Sequence, residues 1–174
     1  TNLLNEAYGK EIWYSEGSAP CNLSELTVQA DQSGLVGKNS AIDIANRIIN
    51  SYYNGKMCMY EFRPAIAANY DGAYDEPKHL IAAQEPWSGF YRLDSGFWMA
   101  MHFSRFSPKG WLFVNGACYG DGEENHAIEH TSHNFMTLVS PDRSEMTMHF
   151  TNEDLFPRTY SVQLKDMGFT NRML

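Results

Sequence analysis

The chain has 174 residues, 43% of them hydrophobic and 14% aromatic, enough apolar mass for a packed core. Its 13 Lys and Arg stand against 21 Asp and Glu, a formal charge of -8; that balance lacks the basic face wanted by nucleic acid or an anionic membrane surface, and a neutral ligand fits better. No run reaches the roughly 20 apolar residues of a membrane span and no leader with a basic start and apolar middle is present, so no stable membrane insertion is expected.

The first predicted element is Glu11-Ile12-Trp13-Tyr14-Ser15-Glu16-Gly17, a short apolar run that reads as a buried strand delivering the Glu16 carboxylate into a turn. At the carboxyl end of a strand in an α/β fold such a group is held by the strand and opened to substrate by the following loop, which makes Glu16 the candidate nucleophile. Gly17 to Lys38 is rich in Ser, Gly, Asn and Gln and reads as a long irregular loop. A helix follows from Ser40, with apolar or small residues at Ala41, Ile44, Ala45, Ile48, Ile49 and Tyr52 along one face, Ser40 and Asp43 as a capping pair, and Gly55 as the stop.

Met57 to Phe62 predicts a second buried strand, ended by Arg63-Pro64. Strand, helix, strand is the unit of a parallel α/β sheet. Pro64 to Asp94 reads as another long loop, after which Ser95 is expected to cap a helix over Phe97 to Phe106, terminated by Pro108-Lys109-Gly110. From Trp111 the rhythm changes to short β-rich runs at Trp111 to Val114, Asn134 to Val139, Glu145 to Phe150 and Thr159 to Leu164, the spacing of an antiparallel sheet or sandwich. A boundary is placed near Lys109, dividing the chain into 1-109 and 110-174.

Cys21, Cys58 and Cys118 are odd in number and widely spaced, so they form no metal motif and allow at most one internal disulfide. Asn22-Leu23-Ser24 is a glycosylation acceptor triplet. His126, His130 and His133, beside Glu123, Glu124 and Glu129, have the residue types of a metal cluster; the region is led by Gly and Asp and lies among strands, so it reads as a solvated hairpin loop, and neither a metal site nor a cofactor is expected. The chain opens on Thr1 rather than Met, which reads as a processed chain or part of a longer one.

Ile12 to Glu16, the helix to Tyr52-Tyr53, and above all Ala83-Gln84-Glu85-Pro86-Trp87-Ser88-Gly89-Phe90-Tyr91, followed by Trp98, His102 and Gly110-Trp111, resemble the galactosylceramidases of glycoside hydrolase family 59. The Ala-Gln-Glu-Pro-Trp-Ser-Gly block is the specific part, and the resemblance spans roughly residues 11 to 165. It implies a retaining enzyme for β-galactosides of glycosphingolipids, secreted or lysosomal, built from a (β/α)8 barrel and a β-sandwich. Glu16 then matches the nucleophile ending the seventh barrel strand, Ser40 to Asn54 the seventh helix, Met57 to Phe62 the eighth strand, and Phe97 to Phe106 the eighth helix.

Two departures accompany the resemblance. The family's general acid is a Glu preceded by Asn on the fourth strand; Asn5-Glu6 has the dipeptide but lies only ten positions before Glu16, too near to be a strand end three units away. The chain is therefore expected to be the C-terminal part of a larger enzyme and inactive alone. The family also ends its eighth strand with a Trp that floors the sugar, where this chain has Arg63; either Phe62 takes the stacking role or the sugar differs. Trp87 is the other candidate sugar platform, against the alternative of a packed loop anchor. Arg158 loosely matches an arginine that the family's sandwich lends to the site. The rival readings are a barrel glycosidase of another sugar specificity and a non-catalytic carbohydrate-binding module.

Overall fold

The computed structural model describes residues 2–18, 35, 40–68, 79–83, 85–120, 134–152 and 156–162. Helix α1 (Asn2–Tyr8) leads into strand β1 (Ile12–Ser18); helix α2 (Ala41–Tyr53) follows, and strand β2 (Met57–Arg63) returns parallel to β1. The expected strand–helix–strand unit of an α/β fold is present. Ser40 caps α2 as read from the sequence, its hydroxyl accepting the Asp43 N–H at 3.3 Å, while Asp43 pairs with Arg47 one turn on at 2.9 Å. The stop differs in one detail: the left-handed residue after α2 is Lys56 (φ 53°), not Gly55.

The segment expected as a loop between Pro64 and Asp94 carries a small sheet of its own. Strands β3 (Ile66–Ala67) and β4 (Ile81–Ala82) pair in parallel, and β5 (Arg92–Leu93) joins β4 antiparallel. Two-residue strands leave no periodicity to read, and their anchor is a side chain distant in sequence. His79 is fully buried, and its Nε2 lies 2.7 Å from the Asp94 carboxylate, which also accepts from Arg92 Nε at 2.6 Å. That double engagement corrects the expected cap: helix α3 (Ser95–Phe106) has Asp94, not Ser95, at its N-cap, and the carboxylate is held by His79 and Arg92 instead of by the helix.

Strands β6 (Leu112–Phe113), β7 (Phe135–Val139) and β8 (Met146–Phe150) form the expected antiparallel sheet, β7 in the middle. The Ser140-Pro141-Asp142 turn is tied by Asp142, which accepts from the Ser140 hydroxyl at 2.6 Å and from Ser144. Of the fourth run only residues 159–162 are described. Residues 159–162 have no ladder, and Tyr160 instead lays its ring on Phe150 at 4.6 Å and donates its hydroxyl to the Thr151 carbonyl at 3.2 Å.

Helix α2 is the centre of the core. Ala41, Ile44, Ala45 and Ile48 pack with Met99 of α3 and with Tyr60 and Phe62 of β2. Ile49, on the adjoining stripe, packs with Cys118, Met136 and Leu138, joined by Phe103, Trp111 and Phe113. One amphipathic helix therefore serves two sheets, as its i, i+3, i+4 spacing permits.

Candidate active site

Glu16 and Arg63 meet at the carboxyl end of the parallel pair. Pairing runs Tyr14 with Tyr60, then Gly17 with Phe62 and Ser18 with Arg63, so β1 spends three steps where β2 spends two. The extra residue is a bulge, and it decides where Glu16 points. In a regular strand Glu16 would share a face with Tyr14. Tyr14 stacks on Tyr60 at 4.8 Å, and Tyr60 and Phe62 pack on the α2 core, so that face belongs to the helix. The bulge turns Glu16 to the opposite face, which Glu61 and Arg63 share by register and which no described residue covers.

On that face Arg63 Nη1 donates to Glu16 Oε1 at 3.1 Å, with side chains 70% and 66% exposed. The strand runs on to Ser18, so Glu16 stands inside the strand near its end and not in a turn beyond it. Nor is the apolar run buried. Trp13 is 57% exposed, because among the described residues β1 pairs only with β2 and the face away from α2 is uncovered.

Gly17 is fixed by the same geometry. A Cβ there would fall under 3.0 Å from three atoms of the Tyr60 ring, so the strand can approach the aromatic layer only without a side chain. Burial, with the neighbouring Tyr14, pushes the Tyr60 phenol up to about 12, so it stays neutral on the helix-covered face.

Phe62 packs against the α2 core, its ring 5.1 Å from Tyr60, on the face opposite Glu16. Trp87 stands on a 3-10 turn (Pro86–Ser88) between β4 and β5, where the Ser88 hydroxyl donates to the Glu85 carbonyl at 2.8 Å and Gly89 takes φ 75°. Trp87 is 74% exposed among the described residues. It lies on the second small sheet, not on the strand pair that brings Glu16 and Arg63 together. Asn5 and Glu6 lie in helix α1, Asn5 donating to the Lys10 carbonyl at 2.9 Å, so they form no strand end.

Arg158 is half-buried in the segment after β8. Cys58 is exposed and Cys118 buried, both as free thiols. The run from Glu123 to His133, with Cys21, Asn22 and nearly all of the expected Gly17 to Lys38 loop, lies outside the described residues. Among the described residues no three His, Cys, Asp or Glu side chains are grouped to hold a metal ion.

Two residues of this face escaped the sequence reading. Trp13 and Glu61 share the face of Glu16 by register. The signal for Glu61 was alternation in β2, which separates Glu61 and Arg63 from Tyr60 and Phe62; the signal for Trp13 needed the bulge as well.

Residues 1–105 match the family described as Glycosyl hydrolase family 59. Galactocerebrosidase of Danio rerio is 36% identical over 81 residues, covering 46% of this chain and 12% of that protein. Galactocerebrosidases of Mus musculus and Homo sapiens are 27% and 29% identical over 146 residues, in each case 76% of this chain and 19% of the relative. The chain thus spans about a fifth or less of the length of these relatives.

Proposed function

The chain belongs to glycosyl hydrolase family 59, and we propose that it is part of a retaining β-galactosidase acting on glycosphingolipid galactosides, with Glu16 as nucleophile. The observation that carries this reading is the bulge that turns Glu16 away from the helix-covered face and sets it beside Arg63. In a (β/α)8 barrel the face of each strand away from its helix lines the interior, and the carboxyl end of the strand opens to substrate. Glu16 has both properties. The relatives' name, galactocerebrosidase, supports the galactoside.

In this reading Glu16 attacks the anomeric carbon while a protonated carboxyl group about 5 Å away, supplied from outside these residues, gives its proton to the leaving oxygen. A glycosyl ester on Glu16 forms, and water, deprotonated by the same partner, releases the sugar. Arg63 and Trp87 contribute the sugar-binding side chains, Trp87 through its largely exposed side chain. Residues 1-109 form the end of the barrel and 110-174 part of a β-sandwich, docked on α2 through Ile49 and Met136. The protein works in a lysosomal or secreted setting. Among the described residues no helix is long and apolar enough to cross a membrane.

Arg63 favours a second reading, a barrel glycosidase for another sugar, because a guanidinium and an indole hold different parts of a ring. A panel of aryl β-galactosides and β-glucosides decides between them. The protein expressed from its whole coding sequence should hydrolyse the galactoside and lose that activity in Glu16→Gln. Preference for the glucoside selects the second reading, and activity undiminished in Glu16→Gln overturns both.

A further inference from the structure

We infer that Arg63 is a positioning residue for the attacking carboxylate: its bond to Glu16 Oε1 fixes the carboxylate plane and leaves Oε2 to meet the anomeric carbon. This rests on the proposed nucleophilic role of Glu16 and goes beyond contact between Arg63 and sugar.

The pair is not there for stability. Both side chains are mostly exposed, and an exposed ion pair contributes little to folding. Its geometry is nevertheless built into the backbone. Were β1 regular, Glu16 would lie on the α2 face and Arg63 on the other; the bulge puts both on one face, one strand apart.

The charges on that face give the guanidinium its task. Glu61, exposed on β2 opposite the bulged residues, shares the face with Glu16. Two carboxylates on neighbouring strands repel, and a freely rotating Glu16 would swing from Glu61 and from any productive pose. Arg63 lies two residues beyond Glu61 on the same face and holds Glu16 from the other side. Glu11 precedes the strand, and Asp43 and Arg47 belong to α2. Arg63 is the cation bonded to Glu16 on this face, and a planar guanidinium fixes orientation as well as charge.

The test uses the protein expressed from its whole coding sequence, with Arg63→Ala, Arg63→Lys and Glu16→Gln assayed on an aryl β-galactoside. Arg63→Ala should lower kcat about tenfold to a hundredfold with a smaller change in KM. Arg63→Lys should restore only part of kcat, and millimolar guanidinium added to Arg63→Ala should recover part of the turnover. A rise in KM with kcat unchanged would make Arg63 a substrate contact only and overturn the inference; so would unchanged kinetics in both variants. If Arg63→Ala does not fold, a wild-type kcat in Arg63→Lys overturns it equally. Full activity in Glu16→Gln defeats the nucleophile reading itself, a result separate from any obtained at Arg63.

Discussion

Glu16 and Arg63 are joined at 3.1 Å across the parallel pair of β1 and β2, on the face turned away from helix α2. The relationship depends on one extra residue in β1. Period-two alternation assigns Glu16 to the face of Tyr14, where it would meet aromatic packing instead of a cation.

Gly17 is the residue on which that bulge turns. Gly17→Ala places a methyl group against the Tyr60 ring and should destabilise the fold by about 1–3 kcal/mol, the usual penalty of overpacking. Urea denaturation followed by tryptophan fluorescence measures it. Tyr60→Leu in the same chain should recover part of the loss, and additive effects of the two substitutions would show that the ring and Gly17 are not in contact.

The sequence made much of this architecture legible, and its omissions have identifiable causes. Helix α2 was readable because its spacing, its Ser40 cap and its acidic first turn agree. Strands β7 and β8 were readable because a turn with Asp142 separates two runs of β-formers. Strands β3 to β5 were not, since two residues cannot show a period and their anchor, His79 against Asp94, joins positions far apart in the chain. The cap of α3 was misread for the same reason: Asp94 precedes Ser95 and spends its carboxylate on His79 and Arg92. The direction of Glu16 was not legible, because a bulge is set by the register between two strands, which neither strand's own pattern states.

Ile49 links α2 to the antiparallel sheet through Met136 and Leu138. Ile49→Ala should cost about 2–5 kcal/mol, as for other fully buried aliphatic truncations. Combined with Met136→Ala it should fall short of additivity, because the two side chains border one cavity. Independent melting of the segments before and after Lys109 in differential scanning calorimetry would contradict a shared core.

His149 gives the fold a pH dependence. It is buried on β8, its ring stacked on Phe103 at 4.8 Å with Nε2 2.8 Å from the Ser107 hydroxyl. Burial, aided by nearby His102, lowers its pKa from the ordinary 6.5. The folded state therefore favours neutral imidazole and the unfolded chain takes the proton first. Stability should be unaffected by this group above about pH 6.5, decline as the pH falls below that value, and level off once the folded pKa is passed. Thermal melts of wild type and His149→Gln between pH 8 and pH 4.5 should diverge in that window, and parallel curves would remove His149 as the cause.

The isolated 174-residue chain should lack turnover on aryl β-galactosides, because loss of the general acid alone costs on the order of 10²-fold or more. Hydrolysis that disappears in Glu16→Gln would show that these residues hold a complete catalytic pair.

The nucleophilic role of Glu16 is tested most directly by trapping. A 2-deoxy-2-fluoro-galactosyl inactivator slows release of the glycosyl-enzyme, and peptide mass spectrometry locates the ester in the protein expressed from its whole coding sequence. The adduct should lie on Glu16 and be absent from Glu16→Gln. An adduct on Glu61 or Glu85, or inactivation that leaves Glu16 unmodified, would contradict the assignment.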